Sequence, residues 1–184
     1  MANPEHVRIV KQGIDRLTEW RERNPDEPLD LINADLRRIN LVEDDLLDDE
    51  DDFLGSGSRP GADLCNAQLQ GANLTNAYLF RARLVGADLS RADLTRAYLP
   101  WADLRHANLL ESNLTGVDLR EADLAEAKLT RARLIGADIS AANLTRTDLR
   151  GTDLTAVKNL RPQQIDSAFI DSETKLPKAD HSDL

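Results

Sequence analysis

From Ala62 to Thr155 the chain repeats one five-residue pattern: a small residue, a polar one, a leucine, then two mostly polar residues. Blocks such as ADLCN, AQLQG, ANLTN, AYLFR and ARLVG follow one another without a break. Counting in fives from Leu64 to Leu154 gives nineteen positions, of which eighteen are Leu and one is Ile139. Two residues before each stands Ala in fifteen cases, with Ser112, Val117, Thr147 and Thr152 in the other four.

A period of five fits neither ordinary element. On an α-helix five residues turn roughly 500°, so successive leucines fall about 140° apart and smear around the axis. On a flat strand an odd period sends alternate leucines to opposite faces. A core uses every leucine only if the chain bends once per repeat, and four bends close a square coil of 20 residues. Stacked coils then pair backbone to backbone at roughly 4.8 Å. The small site follows, because a second large side chain per bend overfills so narrow a core. The expected architecture is a solenoid.

Tandem A(D/N)LXX, as in ADLSRADLTRAYLPWADLRHANL, resembles the pentapeptide-repeat proteins. The resemblance runs over residues 62 to 156 and implies an all-β solenoid, a right-handed quadrilateral β-helix. The A(D/N)LXX style resembles the bacterial members abundant in cyanobacteria, many of which have no assigned role.

The ends of a solenoid need caps, since end coils otherwise expose leucines and unpaired edges. Asn3-Pro4 reads as a helix start and Asn24-Pro25 as a stop. Between them Val7, Val10, Ile14, Leu17 and Trp20 form a stripe, so 4–23 is expected to be one amphipathic cap helix. Leu31, Leu36, Leu41 and Leu46 are again five apart, which suggests a degenerate first coil over 29–46. Ala34 keeps the small site there, while Leu29, Ile39 and Asp44 depart from it. The distance from Leu46 to Leu64 is not a multiple of five, so 47–60 reads as an inserted acidic, glycine-containing loop, with regular coils over 61–156. At Asn159 the spacing fails. Pro162 then opens a short helix, PQQIDSAF, with Ile165 and Phe169 expected to turn inward as a cap that resembles the family's C-terminal one. The segment KADHSDL closes 157–184 as a tail expected to be disordered.

Composition narrows the chemistry. Only seven of 184 residues are aromatic, so the core must be aliphatic. The net charge of −10 argues against direct nucleic-acid binding. No run of 18 apolar residues suggests a membrane span, and no apolar stretch near Met1 suggests a secretory signal. Cys65 is alone, so neither an internal disulfide nor a cysteine-based zinc site is expected. These features point to a cytoplasmic chain.

The stretch VEDDLLDDEDDFLGSGSRPG invites a calcium-loop reading, but the pattern fails. Counting from Asp48, Glu50 and Asp52 fall at acidic positions, yet position six is Phe53 and position twelve is Arg59. His6, His106 and His181 share no carboxylate–nucleophile set, and carboxylates recur because the repeat recurs. No catalytic, cofactor or metal residues are therefore assigned, and the chain is read as a non-enzyme.

The surface holds one unusual group. Tyr78 and Phe80 flank Leu79, Tyr98 precedes Leu99, and Trp101 turns the next corner. Residues on either side of an inward leucine point out, so four aromatics gather on one side of two adjacent coils. With Leu46 stacked on this same side, Phe53 and Leu54 come within reach. The candidate patch is therefore Phe53, Leu54, Tyr78, Phe80, Tyr98 and Trp101. It reads either as a dock for the inserted loop or as a surface for a protein partner or a second copy of the chain. Arg91, Glu111 and Arg131 are expected to stack as a charge ladder, and Thr75, Thr95 and Thr115 as a threonine ladder.

Two functions follow. One is a structural or protein–protein interaction module. The other, drawn from the resemblance, is a duplex-DNA mimic that binds DNA gyrase, as quinolone-resistance members do. Residues 1–60 carry 16 acidic and 8 basic side chains, whereas 61–155 carry 12 and 11. A DNA mimic needs negative charge along its rod. This rod is nearly neutral, and its ruler also lacks the central Phe frequent in gyrase-directed members, so the interaction module is preferred.

Overall fold

The structure, a computed structural model, describes residues 1–42 and 61–177. Its body is a right-handed quadrilateral β-helix. Each side pairs with the next coil through one residue, in parallel, from Asp63↔Arg83 to Asp138↔Lys158.

From the Leu64 repeat to the Leu124 repeat, wherever Asp or Asn precedes the leucine, each backbone N–H from the leucine to the corner has a destination, and this accounts for the motif. In the Leu64 repeat, Leu64 N donates to Arg83 O and Asn66 N to Val85 O in the next coil. Arg83 N returns a bond to Ala62 O, and Ala67 N closes the corner on Leu64 O. The remaining donor, Cys65 N, is taken by the side chain of Asp63 at 3.0 Å. This is an Asx-turn. All thirteen Asp or Asn residues that precede a ruler position accept this bond. Tyr98 cannot, and the residue two further on is Pro100, which has no N–H to satisfy.

The corners have positive φ two residues after each leucine, as type II turns require. From the Leu31 corner to the Leu149 corner there are twenty such residues, with φ between 54° and 70°. Five are glycine and fifteen carry side chains. The hydrogen-bonded ladder holds those fifteen in a conformation that alone costs roughly 1 kcal/mol or more each.

Inside, the ruler side chains are at most 4% exposed. The small column is equally buried, including Ser112, Thr147 and Thr152. Thr147 and Thr152 donate their hydroxyls to Leu124 O and Leu129 O of the coil below. The Ser112 hydroxyl is buried without a partner. Ser112→Ala is therefore expected to stabilise the protein by about 1 kcal/mol, by removing an unsatisfied buried group at a site that elsewhere holds Ala. A rise in the urea midpoint at unchanged slope is the check, and a fall would contradict it.

The ends depart from expectation in instructive ways. The cap is two helices, α1 (Pro4–Lys11) and α2 (Ile14–Arg23), rather than one over 4–23. Gly13 between them has φ 95°, which no helix admits. Asn3 caps α1 by accepting from Glu5 N at 2.9 Å. Val10 and Leu17 of the stripe are buried, but so are Ile9 and His6, which the stripe did not include.

The first coil is shifted relative to the expected one. Asp30, Asp35 and Asn40 pair with Gln68, Asn73 and Tyr78. The place beneath Leu79, expected for Leu46, is thus held by Leu41. Val42 is the last described residue of this coil, and Leu46 falls outside the described residues. The large residues Leu29 and Ile39 fit at the small site because no further coil lies below them; both are buried.

Side chains finish what backbone cannot at the termini. His6 Nδ1 accepts from Asp30 N at 2.9 Å, where a preceding coil would have offered a carbonyl. Arg21 Nη2 donates to Asp63 O, where such a coil would have offered an N–H. At the far end Gln164, in α3 (Pro162–Asp166), donates to Ile139 O and Ala142 O. Asp171 accepts from Gly151 N. Ile165 packs against the core as expected, but Phe169 is 52% exposed rather than turned inward. Its N–H and C=O are both in the ladder, bonded to Thr147 and Leu149. That pairing makes it an outward position. Residues 178–184 lie outside the described chain.

Candidate interaction surface

The fold brings four of the six patch residues together. On the Leu79 side, Tyr78 sits directly below Tyr98 in the ladder, and the two rings are 6.1 Å apart. Phe80 lies parallel to Tyr98 at 6.3 Å and edge-on to Trp101 at 5.6 Å, both within the range of favourable ring pairs. Arg81 places its guanidinium over Phe80 at 5.2 Å. Trp101 Nε1 donates to Glu121 one coil above. Phe53 and Leu54 lie outside the described residues.

Exposure divides the cluster. Tyr78 is 48% exposed, whereas Phe80 is only 8% exposed although it occupies an outward position. Val42 and Pro100 stand below and above Phe80 in the same column, and both are buried too. Burial pushes the Tyr98 hydroxyl up in pKa, with Asp118 adding to it. The side thus has an apolar inner column and a rim of tyrosine, Trp101 and Arg81.

Elsewhere the positions before the leucines are polar, and several of their charges are paired. The residues preceding the leucines stack in columns: Asp63, Arg83, Asp103, Asp123, Asn143 on the first side and Gln68, Asp88, Asn108, Lys128, Asp148 on the second. Asn73, Asp93, Asn113, Arg133, Asp153 follow on the third. Tyr78, Tyr98, Asp118, Asp138, Lys158 complete the fourth. Asn108 donates to Asp88, Asn113 to Asp93 and Asn143 to Asp123 across coils. In the two places where Asp stacks on Asp, an arginine stands beside them. Arg105 is 2.7 Å from Asp103 and 3.7 Å from Asp123, and Arg120 pairs with Asp118 at 2.7 Å.

Of the expected ladders, Arg91 pairs with Glu111 at 3.0 Å, but among the described residues no ion pair joins Glu111 to Arg131. The threonines sit in the Asx-turns, where Thr95 and Thr115 donate their hydroxyls to Asp93 and Asn113. Burial pushes the Cys65 thiol up, which disfavours the thiolate.

These carboxylates link stability to pH. The Arg105 guanidinium holds Asp103 below its ordinary range, Arg150 does so for Asp148, and Thr155 for Asp153. Partial burial opposes the same shift at Asp88, but Ser90, Gln70 and Asn108 outweigh it. A depressed folded pKa contributes stability that is complete above the unfolded carboxylate value of about 3.9 and is lost as pH falls through the folded values. The melting temperature is therefore expected to hold from pH 7 to 5 and to drop steadily from pH 4 to 2. An acid-independent melting temperature would refute the linkage.

Sequence reasoning missed a cleft of about 230 Å³ between α1 and α2, lined by Ile9, Trp20, Gln12 and charged side chains. Its rim is paired internally, Arg8 with Glu5 and Arg16 with Glu19. Only the break at Gly13 could have signalled it. Among the described residues no group of His, Cys, Asp or Glu is placed to hold a metal ion, and no helix is long and apolar enough to cross a membrane.

The repeats match the model of pentapeptide repeats, in eight copies, over segments that together span residues 61–155. No curated protein matches the chain. Among solved structures it is similar to HetL, a pentapeptide repeat protein involved in heterocyst differentiation regulation in the cyanobacterium Nostoc sp. strain PCC 7120. Identity is 28% and the TM-score 0.45, covering 78% of this chain and 54% of HetL, so the chain spans about half the length of that protein. It is similar also to alr5209, a pentapeptide repeat protein of Nostoc PCC 7120, at 32% identity and TM-score 0.43, covering 59% of this chain and 84% of the other. QnrB1, a plasmid-mediated fluoroquinolone resistance protein, is similar at 18% identity and TM-score 0.37, covering 79% of this chain and 76% of that one. The repeat match alone covers more than half the chain, which belongs to the pentapeptide-repeat family.

Proposed function

We propose that the protein is a non-catalytic module that binds another protein through the Leu79 side. The observation that carries this reading is the clustering of Tyr78, Phe80, Tyr98 and Trp101 outside two adjacent coils, on a rod whose other exposed large apolar side chains, Leu110 and Ile135, stand apart from this group in the sequence. Tyrosine, tryptophan and arginine are the residues that concentrate binding energy at interfaces, and here Arg81 frames the rings. The rigid ladder presents them at little entropic cost on binding.

The gyrase reading draws no support from the charge pattern. Aspartates on the rod are tied to Asn and Arg neighbours rather than forming an uninterrupted anionic ribbon. Sub-micromolar inhibition of gyrase supercoiling by the purified chain would overturn this preference.

The test of the module reading uses Tyr78→Ser with Tyr98→Ser. A protein retained by the wild-type chain is purified and titrated against both forms. The reading requires one saturable complex that the double variant weakens at least tenfold while its melting temperature stays within a few degrees. Equal affinity for both forms, or no purified protein that binds, rejects it.

A further inference from the structure

Among the described residues, the first coil has an edge that is hydrogen-bonded on one side and unpaired on the next two. A coil in mid-stack uses three backbone groups per side toward the coil below: the N–H and C=O of the pairing residue and the C=O two residues later. On the Leu31 side all three are taken. Asp30 N donates to His6 Nδ1, Asp30 O accepts from Asn3 N, and Ile32 O accepts from Ala2 N. On the Leu36 side the equivalent groups are Asp35 N, Asp35 O and Arg37 O. On the Leu41 side they include Asn40 N and Asn40 O. None of these is in a hydrogen bond among the described residues. Asp35, Arg37, Arg38 and Asn40 are all exposed residues.

An exposed strand edge with alternating donors and acceptors is a template for one more strand. Its surroundings select the kind of strand. Arg37 and Arg38 flank the edge, and both are exposed. Among the described residues of these two sides, the one carboxylate, Asp35, is already engaged by Arg37 at 2.8 Å. Asn40 also lies directly beneath Tyr78, so the edge is continuous with the aromatic side.

We propose that this open edge receives an extended, acidic segment of a partner protein, added as one more strand beneath Asp35 and Asn40. The inference rests on the protein-binding reading above and adds a mode: main-chain pairing for affinity, with Arg37 and Arg38 selecting acidic side chains.

Amide hydrogen exchange read by NMR on the full chain tests it. In dilute protein the Asp30 amide should be protected and the Asp35 and Asn40 amides should exchange freely. A ten-residue peptide of alternating Glu and Val should slow exchange at Asp35 and Asn40 at least tenfold, and its Lys/Val counterpart should not. Arg37→Glu with Arg38→Glu should abolish that slowing while Asp30 stays protected. Three outcomes overturn the proposal. Protection of Asp35 and Asn40 in the dilute free chain means that the chain covers its own edge. Protection that grows with protein concentration means that a second copy does. No slowing by the acidic peptide means that the edge is not a docking site. The Tyr78→Ser, Tyr98→Ser variant should still show the peptide effect, so failure of the edge and failure of the aromatic side are separable.

Discussion

Leu104→Ala is expected to lower the stability of the solenoid by about 3–4 kcal/mol, the largest effect of any single truncation considered. Leu104 is 1% exposed and lies between Leu84 and Leu124 of the adjacent coils. Lost transfer energy is only part of the cost. The coils above and below are pinned through Leu84 N to Asp103 O and Leu104 N to Asp123 O, so they cannot collapse into the space left behind. The cavity persists and the full penalty is felt. A repeat stack is held by nearest-neighbour interfaces, so a defect in mid-stack also uncouples the two halves. Urea unfolding should show a lower midpoint and a broadened transition. A loss below about 1.5 kcal/mol would mean that the coils do relax, contrary to the rigid ladder.

Gly61→Ala is expected to cost about 2–3 kcal/mol, for a different reason. Gly61 leads the chain into the first regular coil, and a Cβ there would collide with the backbone carbonyl of Arg81 and the carbonyl oxygen of Phe80. Those atoms cannot move aside cheaply, since Arg81 N is bonded to Pro100 O. Gly136→Ala supplies the comparison. Gly136 has φ 70° with open space around it, so only backbone strain enters, about 1 kcal/mol. Ala141 already occupies the same kind of corner at φ 55°. Chemical unfolding of the two variants side by side should rank Gly61 well above Gly136, and the reverse order would refute the steric argument.

The body of the fold was legible because one residue in five can point inward at a four-cornered coil, and leucine marks each one. The part played by the Asp and Asn before the leucine emerged only from the structure, where their side chains accept the N–H that the ladder leaves over. Periodicity says nothing about places where the period stops. His6, Arg21, Gln164 and Asp171 close the ends with side-chain atoms that replace missing backbone partners, and each does so once. The break at Gly13 was visible as a glycine but was overridden by the apolar stripe around it. Counting the first coil backward from Leu64 led to Leu46, whereas the ladder aligns Leu41 with Leu79. The aromatic side was legible from spacing alone. The near-complete burial of Phe80 was not, because outward positions in the repeat are ordinarily open.

The columns of residues outside the leucines carry a further consequence, for folding fidelity. A core with leucine at nearly every step is degenerate: sliding one coil by five residues against the next leaves it almost unchanged. The outer columns are not degenerate. Such a slip would stack Asp88 on Asp103, Asp103 on Asp118, Asp123 on Asp138 and Asp138 on Asp153, where the native alignment has only two Asp-on-Asp steps, each with an arginine beside it. It would also part Tyr78 from Tyr98 and break the Asn108–Asp88 and Asn143–Asp123 bonds. Directly opposed like charges are destabilising, and matched pairs contribute a few tenths of a kcal/mol to about 1 kcal/mol each. The leucines make the coil collapse; the surface, though individually weak, tells each coil which neighbour is its own.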